Sequence, residues 1–211
     1  MTIEPWVTFV EIAATVVFAI SGVVEAVRKQ MDVIGIFAIA FLAAFGGGTV
    51  RDVLLDRRPL FWVEHHEYVW LVMALAVIAP PLLRLGRYRP TRWLMEATDA
   101  VGLGLFSVSG ASMAQAAGMP LIVVLLMGVI TGVVGGVLRD VTCGQIPIVF
   151  RSRSPYALCA VVGCLVYWSL HSVGAKPWLE LSLGAGVATG LRLLAVGWGW
   201  QIPEWPRKGG G

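Results

Sequence analysis

The sequence alternates between long apolar runs and short polar or glycine-containing segments. Seven of the runs are long enough, at about 1.5 Å per helical residue, to cross a hydrocarbon core of about 30 Å. A backbone in lipid must satisfy its own hydrogen bonds, so these runs are expected to be helices. The predicted spans are Trp6–Val27, Val33–Leu55, Tyr68–Leu85, Thr98–Ala117, Pro120–Leu138, Tyr156–Ser172 and Leu179–Trp200.

Composition supports a membrane protein. Apolar residues make up 57% of the 211 residues and charged residues only 14%, far from the balance of a soluble domain. The length suits a single transmembrane domain, residues 1–211. The net charge of +3 comes from basic residues in short loops, without a continuous basic stripe. We therefore expect no nucleic-acid partner.

The basic residues are unevenly divided between the two sets of loops. Those after spans one, three and five, together with the C-terminus, hold eleven, whereas the opposite loops hold four. Cytoplasmic loops carry the excess of Lys and Arg, so we expect the N-terminus outside and the C-terminus in the cytoplasm. The eleven are Arg28, Lys29, Arg84, Arg87, Arg89, Arg92, Arg139, Arg151, Arg153, Arg207 and Lys208, and the four are Arg51, Arg57, Arg58 and Lys176.

One unit occurs twice along the chain. The segment Gly46–Asp52, with the sequence Gly-Gly-Gly-Thr-Val-Arg-Asp, returns as Gly135–Asp140, and Arg139 follows Arg51 by 88 positions. Internal repeats indicate that one structural unit is used more than once. Other identical pairs at this offset are Phe18 and Phe106, Ser21 and Ser109, Gly22 and Gly110, Ala26 and Ala114, Val53 and Val141, Pro59 and Pro147, and Tyr68 and Tyr156.

Each unit contains three predicted spans, so the second unit enters the membrane from the opposite face. We predict an all-α integral membrane protein with seven transmembrane helices. An inverted repeat of three plus three helices occupies residues 6–85 and 98–172, followed by a seventh helix at 179–200 and a cytoplasmic tail at 203–211. In such proteins, interrupted helices and a substrate or ion pathway lie near the midplane, between the repeats.

The repeated glycines are candidates for a role in such a pathway. Gly46, Gly47 and Gly48 in span two, and Gly135 and Gly136 in span five, leave the backbone free to bend. Each costs about 1 kcal/mol relative to Ala in a helix. We predict that both helices kink there and line the pathway. The alternative is tight helix packing, which small residues also favour in membranes.

Two acid–base pairs are predicted inside the spans. The direction of each helix brings Glu11 to the depth of Arg51 near the outer end, and Asp99 to the depth of Arg139 near the inner end. Charges within spans usually face a bundle interior or water. Our hypothesis is that the two pairs guard the outer and inner mouths of one polar pathway. Structural bridges that hold helical hairpins together are an equal alternative.

The residues next to these pairs are also polar. Asp52 and Asp140 directly follow their arginines, so they point about 100° away around the helix and are expected not to pair with them. They are expected instead to cap loop backbone or to meet a basic group elsewhere. Ser21 and Ser109 lie near the middle of spans one and four. A hydroxyl there can coordinate a cation or bond to its own helix backbone, and the second role is expected for each serine alone.

Several further polar groups are interpreted separately from the pathway. Glu25 lies about one turn before the inner boundary and can snorkel to water. Arg192, in the inner half of span seven, can snorkel likewise or instead bind an anionic lipid head group. The tetrapeptide at 64–67, Glu-His-His-Glu, is interpreted as a solvated loop and not a metal site, because adjacent side chains diverge. No placed nucleophile, nucleotide loop or cofactor motif is recognised, so an enzyme is not expected and no cofactor is predicted. The predicted interfacial anchors are Trp6, Trp62, Trp70, Trp198 and Trp200.

Taken together, these motifs resemble the bacterial branch of the trimeric intracellular cation (TRIC) channels over residues 6–203. The resemblance is carried by the two glycine segments ending in Arg-Asp, the Ser-Gly pairs at 21–22 and 109–110, Ala-Val-Arg-Lys at 26–29 and Leu-Arg-Leu-Leu-Ala at 191–195. It implies a homotrimer in the bacterial inner membrane, in contact with membrane lipids. Each subunit would hold an hourglass pore, lined by spans one, two, four and five, that conducts monovalent cations, chiefly potassium over sodium.

The sequence departs from the animal members of that family. They carry lysine where Arg51 stands here, and a basic residue in the fourth helix that is linked to voltage response. Span four has no basic residue between Thr98 and Ala117, so voltage gating of that type is not expected.

Three functions are compatible with the pattern. A passive cation channel is the prediction, and the absence of a carbonyl filter sequence agrees with weak selectivity. A secondary transporter of a small solute such as glycine is the alternative, because inverted repeats with broken helices suit it equally well. A structural or lipid-binding membrane protein is the third, in which the glycines serve packing alone.

Overall fold

The structure is a computed structural model that describes residues 5–85, 92–151 and 155–200. These residues fold as nine helices joined by short turns. All seven predicted spans coincide with helices, and two short helices, α3 and α7, were not predicted. The helices are α1 (Pro5–Arg28), α2 (Val33–Leu54), α3 (Phe61–Glu64), α4 (Glu67–Leu85), α5 (Arg92–Ala116), α6 (Leu121–Thr142), α7 (Ile148–Arg151), α8 (Tyr156–Ser172) and α9 (Pro177–Gly197).

Four helices of the described chain, α1, α2, α6 and α9, are long and apolar enough to cross a membrane. The apolar parts of α4 and α8 are shorter, at Glu67–Pro81 and Tyr156–Ser172. The 25-residue α5 is long enough, but Arg92, Glu96 and Asp99 make its first half polar. The protein is therefore an all-helical membrane protein, whereas seven crossings remain a prediction.

Turns at matching positions join the helices. The chain leaves α1 through Gln30, with φ of 57°, and leaves α5 through Gly118, 88 positions later, with φ of 71°. Asp56 after α2 and Gly144 after α6 form a second matched pair, with φ of 51° and 68°. This left-handed conformation favours glycine, yet a non-glycine residue adopts it in each earlier turn. The two chain segments thus reverse direction in the same way despite different residues.

The centre of the molecule is built from α1, α2, α5 and α6. Helix α1 packs on both α2 and α5, and α6 packs on both α2 and α5. The rings of Phe18 and Phe106 stack between α1 and α5, with centroids 5.5 Å apart. Helices α8 and α9 pack together on α5, and α4 packs on α1 and α2. We call α1–α4 the first half and α5–α8 the second half.

The repeated glycines bring α2 and α6 into backbone contact. A Cβ atom at Gly47 would lie only 2.0 Å from the carbonyl oxygen of Thr131, and one at Gly135 only 2.3 Å from that of Ala43. Thr131 and Ala43 are themselves 88 positions apart. Both helices remain helical through their glycines. The structure therefore shows a packing role for these residues, whereas the kink remains a prediction.

The other three glycines of the segments face side chains. Gly46 packs against Leu138, Gly48 against the ring of Phe61, and Gly136 beside the carboxylate of Asp99. Because a Cβ atom at Gly48 would lie 2.3 Å from Phe61, the glycine is what allows α3 to approach α2.

The five tryptophans predicted as interfacial anchors divide into two groups. Trp6, Trp70, Trp198 and Trp200 are exposed, as residues at a membrane interface are expected to be. Trp62 differs, because its indole donates to the hydroxyl of Thr49 at 3.0 Å and packs on aromatic rings of α2. It helps to hold α3 on α2.

Candidate functional site

Arg51, close to the C-terminal end of α2, is completely buried within an acidic environment. Its Nη1 donates to Glu11 Oε1 of α1 at 2.5 Å, and its Nη2 lies 2.7 Å from Asp52 Oδ1. The same Nη1 lies 3.4 Å from Ser109 Oγ of α5. The guanidinium also stands 5.4 Å from the ring centre of Phe61. We call Arg51, Glu11, Asp52 and Ser109 the Arg51 cluster.

Arg139 of α6 has the same surroundings in the other half. Its Nη1 donates to Asp99 Oδ1 at 2.8 Å and to Ser21 Oγ of α1 at 2.5 Å, and its Nη2 lies 2.8 Å from Asp140 Oδ1. Arg139 is completely buried, like Arg51. We call Arg139, Asp99, Asp140 and Ser21 the Arg139 cluster. The predicted pairs therefore form, each as part of a larger cluster.

The prediction that Asp52 and Asp140 do not pair with their arginines is wrong. The 100° separation applies to the Cβ directions, whereas the long arginine side chain turns back to reach its neighbour. The expected capping of loop backbone is found, because the second carboxylate oxygen of each aspartate fixes a short helix. Asp52 Oδ2 accepts from the Phe61 amide at 2.8 Å, and Asp140 Oδ2 accepts from the Ile148 amide at 2.9 Å. Each aspartate thus connects an arginine to the turn beyond its helix.

The expected back-bonding of the two serines is also not what is found. Ser21 and Ser109 are completely buried, and each accepts from the arginine of the opposite half. Sequence reasoning missed this exchange because an offset between equivalent positions does not show which residues meet across the interface.

The charges of the two clusters are not balanced. Arg51 faces the two carboxylates of Glu11 and Asp52, as Arg139 faces those of Asp99 and Asp140. With all groups ionised, each cluster carries a net charge of −1. At the Arg51 cluster, Arg57 lies 3.5 Å from Asp52 and offsets that charge. The equivalent position in the second half is Gln145, which is neutral.

Tyr156 and Arg192 extend the Arg139 cluster. The Tyr156 hydroxyl donates to Asp99 Oδ2 at 2.7 Å, and the Arg192 guanidinium stands 4.7 Å from the centre of the tyrosine ring. Arg192 is only 2% exposed, so the prediction that it snorkels to water is wrong. Tyr68 stands at the equivalent position of the first half and stacks on His65, with ring centres 5.1 Å apart. The only sequence signal for Tyr156 was its identity with Tyr68 at the repeat offset.

Two cavities open beside the clusters. The Glu25 cavity, of about 600 Å³, is lined by Glu25, Arg28, Lys29, Gln145 and Ile146. The Met113 cavity, of about 650 Å³, includes the five residues found 88 positions from these, and its lining also contains charged groups of the α2–α4 connection. Those five equivalents are Met113, Ala116, Ala117, Arg57 and Arg58.

A side-chain contact between the halves forms part of the wall of each cavity. Gln145 Nε2 donates to Glu25 Oε1, and Arg57 Nη1 donates to Met113 Sδ at 2.7 Å. Glu25 also pairs with Arg28 at 2.9 Å and is only 2% exposed. The prediction that Glu25 snorkels freely is therefore wrong, because two partners from different elements hold it.

The segment Glu64–Glu67 does not assemble a metal site. His65 Nδ1 contacts Glu67 Oε1 at 3.1 Å, and no group of three or more His, Cys, Asp or Glu side chains suited to a metal occurs among the residues that the structure describes.

Sequence comparison finds relatives over almost the whole chain. A family sequence model described as "Glycine transporter" matches residues 8–83 and again residues 96–172. The UPF0126 inner membrane protein YadS of Escherichia coli K12 is 36% identical over 198 residues, covering 93% of this chain and 95% of that protein. A UPF0126 membrane protein of Vibrio cholerae is 34% identical and covers 92% of this chain and 80% of that protein.

Solved structures share the fold. The TRIC trimeric intracellular cation channel orthologue from Rhodobacter sphaeroides superposes with a TM-score of 0.83 at 33% identity, covering 92% of this chain and 98% of that chain. A prokaryotic TRIC channel in 0.5 M KCl gives a TM-score of 0.85 at 26% identity, with coverage of 92% and 96%. The relatives and the apolar helices identify a multi-pass inner membrane protein. By sequence and by fold, the chain belongs to the bacterial branch of the TRIC channel family.

Proposed function

We propose that the protein is a channel for monovalent cations, including potassium, with one pore in each subunit of a homotrimer. The observation that carries the proposal is the pair of arginine–carboxylate clusters within the α1, α2, α5 and α6 core, each with a cavity beyond it. The likeness to solved structures described as TRIC cation channels supports it.

The electrostatics of the clusters favour cations. An arginine in a pore would repel a cation, but each of these arginines contacts two carboxylates. These carboxylates neutralise the guanidinium groups, so neither arginine presents an unbalanced positive charge to a cation, and the effect is larger at low exposure because screening is weaker there. Arg51 and Arg139 are fully buried, so the described arrangement is a closed one in which the two cavities are separated.

The proposed architecture is an inverted repeat of three plus three helices, with α9 as the seventh crossing. The family sequence model matches the two halves separately, and the contacts of Arg51 recur at Arg139. In this arrangement α3 and α7 are short segments that fix the ends of α2 and α6. We propose that opening bends α2 and α6 at Gly46–Gly48 and Gly135–Gly136. Glycine has a low helix propensity, so bending the helix there costs less than elsewhere.

The proposed orientation places the Glu25 cavity on the cytoplasmic side and the Met113 cavity outside. Arg28 and Lys29 at the Glu25 cavity follow the distribution expected of cytoplasmic loops. The C-terminus is then cytoplasmic, and the lipid-facing surfaces not covered in the trimer contact membrane lipids.

Transport of a small solute such as glycine is the second candidate, favoured by the description of the matching family model. A cavity on either side of an occluded centre suits alternating access as well as gating. The two candidates differ in kinetics. A transporter saturates and couples to a gradient, whereas a channel passes many ions at each opening.

Reconstitution of purified protein in planar bilayers under a KCl gradient tests the proposal. Discrete currents that reverse near the potassium equilibrium potential, and that change in Arg51→Ala and Arg139→Ala, are expected. Gly186→Ala is the matched control, because no atom lies within 4 Å of its added methyl group. Silent bilayers from folded protein, combined with saturable glycine uptake into vesicles, would replace the channel with the transporter. The mass of the detergent-solubilised complex tests the trimer independently.

A further inference from the structure

The two cavities have equivalent walls but different chemistry. Glu25 and Met113 are 88 positions apart, and each lies on the first helix of its half and contacts a residue in the loop after α6 or α2 of the other half. Gln145 and Arg57, which make those contacts, are also 88 positions apart. One cavity thus has a carboxylate where the other has a thioether.

The Glu25 carboxylate can interact with a cation, but both of its oxygens already have partners. One of its oxygens accepts from Gln145 and the other pairs with Arg28 at 2.9 Å. Only the Arg28 partner is charged, and that side chain is 31% exposed. Departure of Gln145 would therefore uncover an ionised carboxylate at the edge of a water-accessible cavity.

The Met113 cavity has no equivalent carboxylate on its first helix. Met113 accepts from Arg57, whose guanidinium also lies 3.5 Å from Asp52. A thioether is a weak acceptor without charge. Opening this contact would uncover a neutral side chain, and the carboxylates of this lining, Asp56 and Glu64, lie in the α2–α4 connection beside Arg57 and Arg58 instead of on the first helix.

We propose that Glu25 is the residue that attracts cations at the Glu25 cavity, and that Gln145 covers its carboxylate in the closed arrangement. Because Met113 at the equivalent position is neutral, currents carried by cations entering at the two cavities differ. This inference rests on the proposed channel function. It assigns to Glu25 a role separate from the Arg51 and Arg139 clusters.

The charge balance of the mouth supports this assignment. Glu25 offsets one of the two positive charges that Arg28 and Lys29 place in the wall of the cavity. Without its carboxylate, two positive charges would remain at the entrance and would lower the local cation concentration. Attraction of this kind weakens with ionic strength, because the Debye length falls from about 10 Å at 0.1 M salt to about 3 Å at 1 M.

Single-channel current–voltage curves of protein reconstituted in one orientation test the proposal. In about 0.1 M KCl, we expect Glu25→Gln to reduce current carried by cations entering at the Glu25 cavity about twofold, with a smaller change for the opposite direction. In about 1 M KCl the difference should largely disappear. The matched variant Met113→Glu should increase current entering at the other cavity.

A second variant keeps the test independent of folding defects in Glu25→Gln. Gln145→Ala removes the covering amide and leaves the carboxylate, so it should increase current or open time. An equal loss of current in both directions at every salt concentration would overturn the role of Glu25 but leave the channel function intact. The same holds if neither variant changes the current of a conducting protein. A wild-type protein that is folded but does not conduct would instead overturn the channel and this inference with it.

Discussion

Arg139 donates a hydrogen bond to Ser21, 118 positions earlier in the chain. The bond joins α6 of the second half to α1 of the first, and Arg51 reaches Ser109 in the reciprocal direction. Each arginine therefore has its carboxylates within its own half and its serine in the other. The positive charge of each arginine is neutralised by carboxylates of its own half, whereas its contact with the other half is a hydrogen bond to a serine hydroxyl.

The two serines should differ in their contribution to stability. Ser21 accepts at 2.5 Å and Ser109 at 3.4 Å, so Ser21→Ala should cost more. A hydrogen bond to a charged group contributes about 1.5–3 kcal/mol, and we expect Ser21→Ala near that range and Ser109→Ala below it. Thermal unfolding in detergent measures both. The exposed Ser182, which bonds only locally at 3.4 Å, is the control, and equal effects at all three positions would contradict the geometry.

Removal of a buried arginine should be far more costly than removal of an exposed one. Arg139→Met leaves Asp99 and Asp140 buried without their cation, and we expect a loss of about 3–5 kcal/mol. Arg139→Lys should recover only part of it, since an ammonium lacks the planar fork that reaches several acceptors. Arg92→Met is the matched control, because its pair with Glu96 is exposed and is expected to contribute less than about 1 kcal/mol. Chemical denaturation in mild detergent measures the stabilities of these variants. Equal stability of Arg139→Met and Arg92→Met would contradict the prediction.

An added methyl group should separate α2 from α6. Gly47→Ala and Gly135→Ala place Cβ at 2.0 and 2.3 Å from a carbonyl oxygen, where only backbone movement can relieve the clash. We expect each to destabilise the protein by about 1–3 kcal/mol and to lower the current. Gly186→Ala meets no neighbour in the described chain and should be neutral or gain up to about 1 kcal/mol in helix propensity. Normal melting of the two crossing variants would rule out the close contact.

The two equivalent tyrosines provide a test of asymmetry. Tyr156→Phe loses the hydrogen bond to Asp99 and leaves a carboxylate oxygen short of a donor, so a loss of about 1–3 kcal/mol is expected. Tyr68→Phe keeps the ring that stacks on His65 and should change stability less. The difference between the two melting temperatures is the measurement, and a larger effect at Tyr68 would contradict the assignment.

The helices were predictable because the membrane imposes a simple rule on the sequence. Each apolar run had to be a helix, and the depth of each charge along its helix paired Arg51 with Glu11 and Arg139 with Asp99. Those pairs lie within one hairpin, so helix direction and depth suffice to find them. The structure places them together at 2.5 and 2.8 Å.

Contacts between halves were not predictable in the same way. The partners of Ser21 and Arg192 lie on helices whose relative rotation the sequence does not show. Gln145, which contacts Glu25, lies in the loop after α6. The error at Asp52 had a different origin, because Cβ directions describe a helix but not the reach of a flexible arginine. Side-chain length and helix rotation thus limit what the repeat alone can predict.

The pairing of Arg51 with Glu11 also bears on how the protein is made. Inserting a lone charged residue at a helix centre costs about 2.5–3.5 kcal/mol, yet the counterion of each arginine lies on the preceding long helix. The α1–α2 and α5–α6 hairpins can therefore leave the insertion machinery with their guanidinium groups already matched. The serine contacts between the halves can form only after the second hairpin has been translated. Until then the first hairpin lacks its hydrogen bonds to the second.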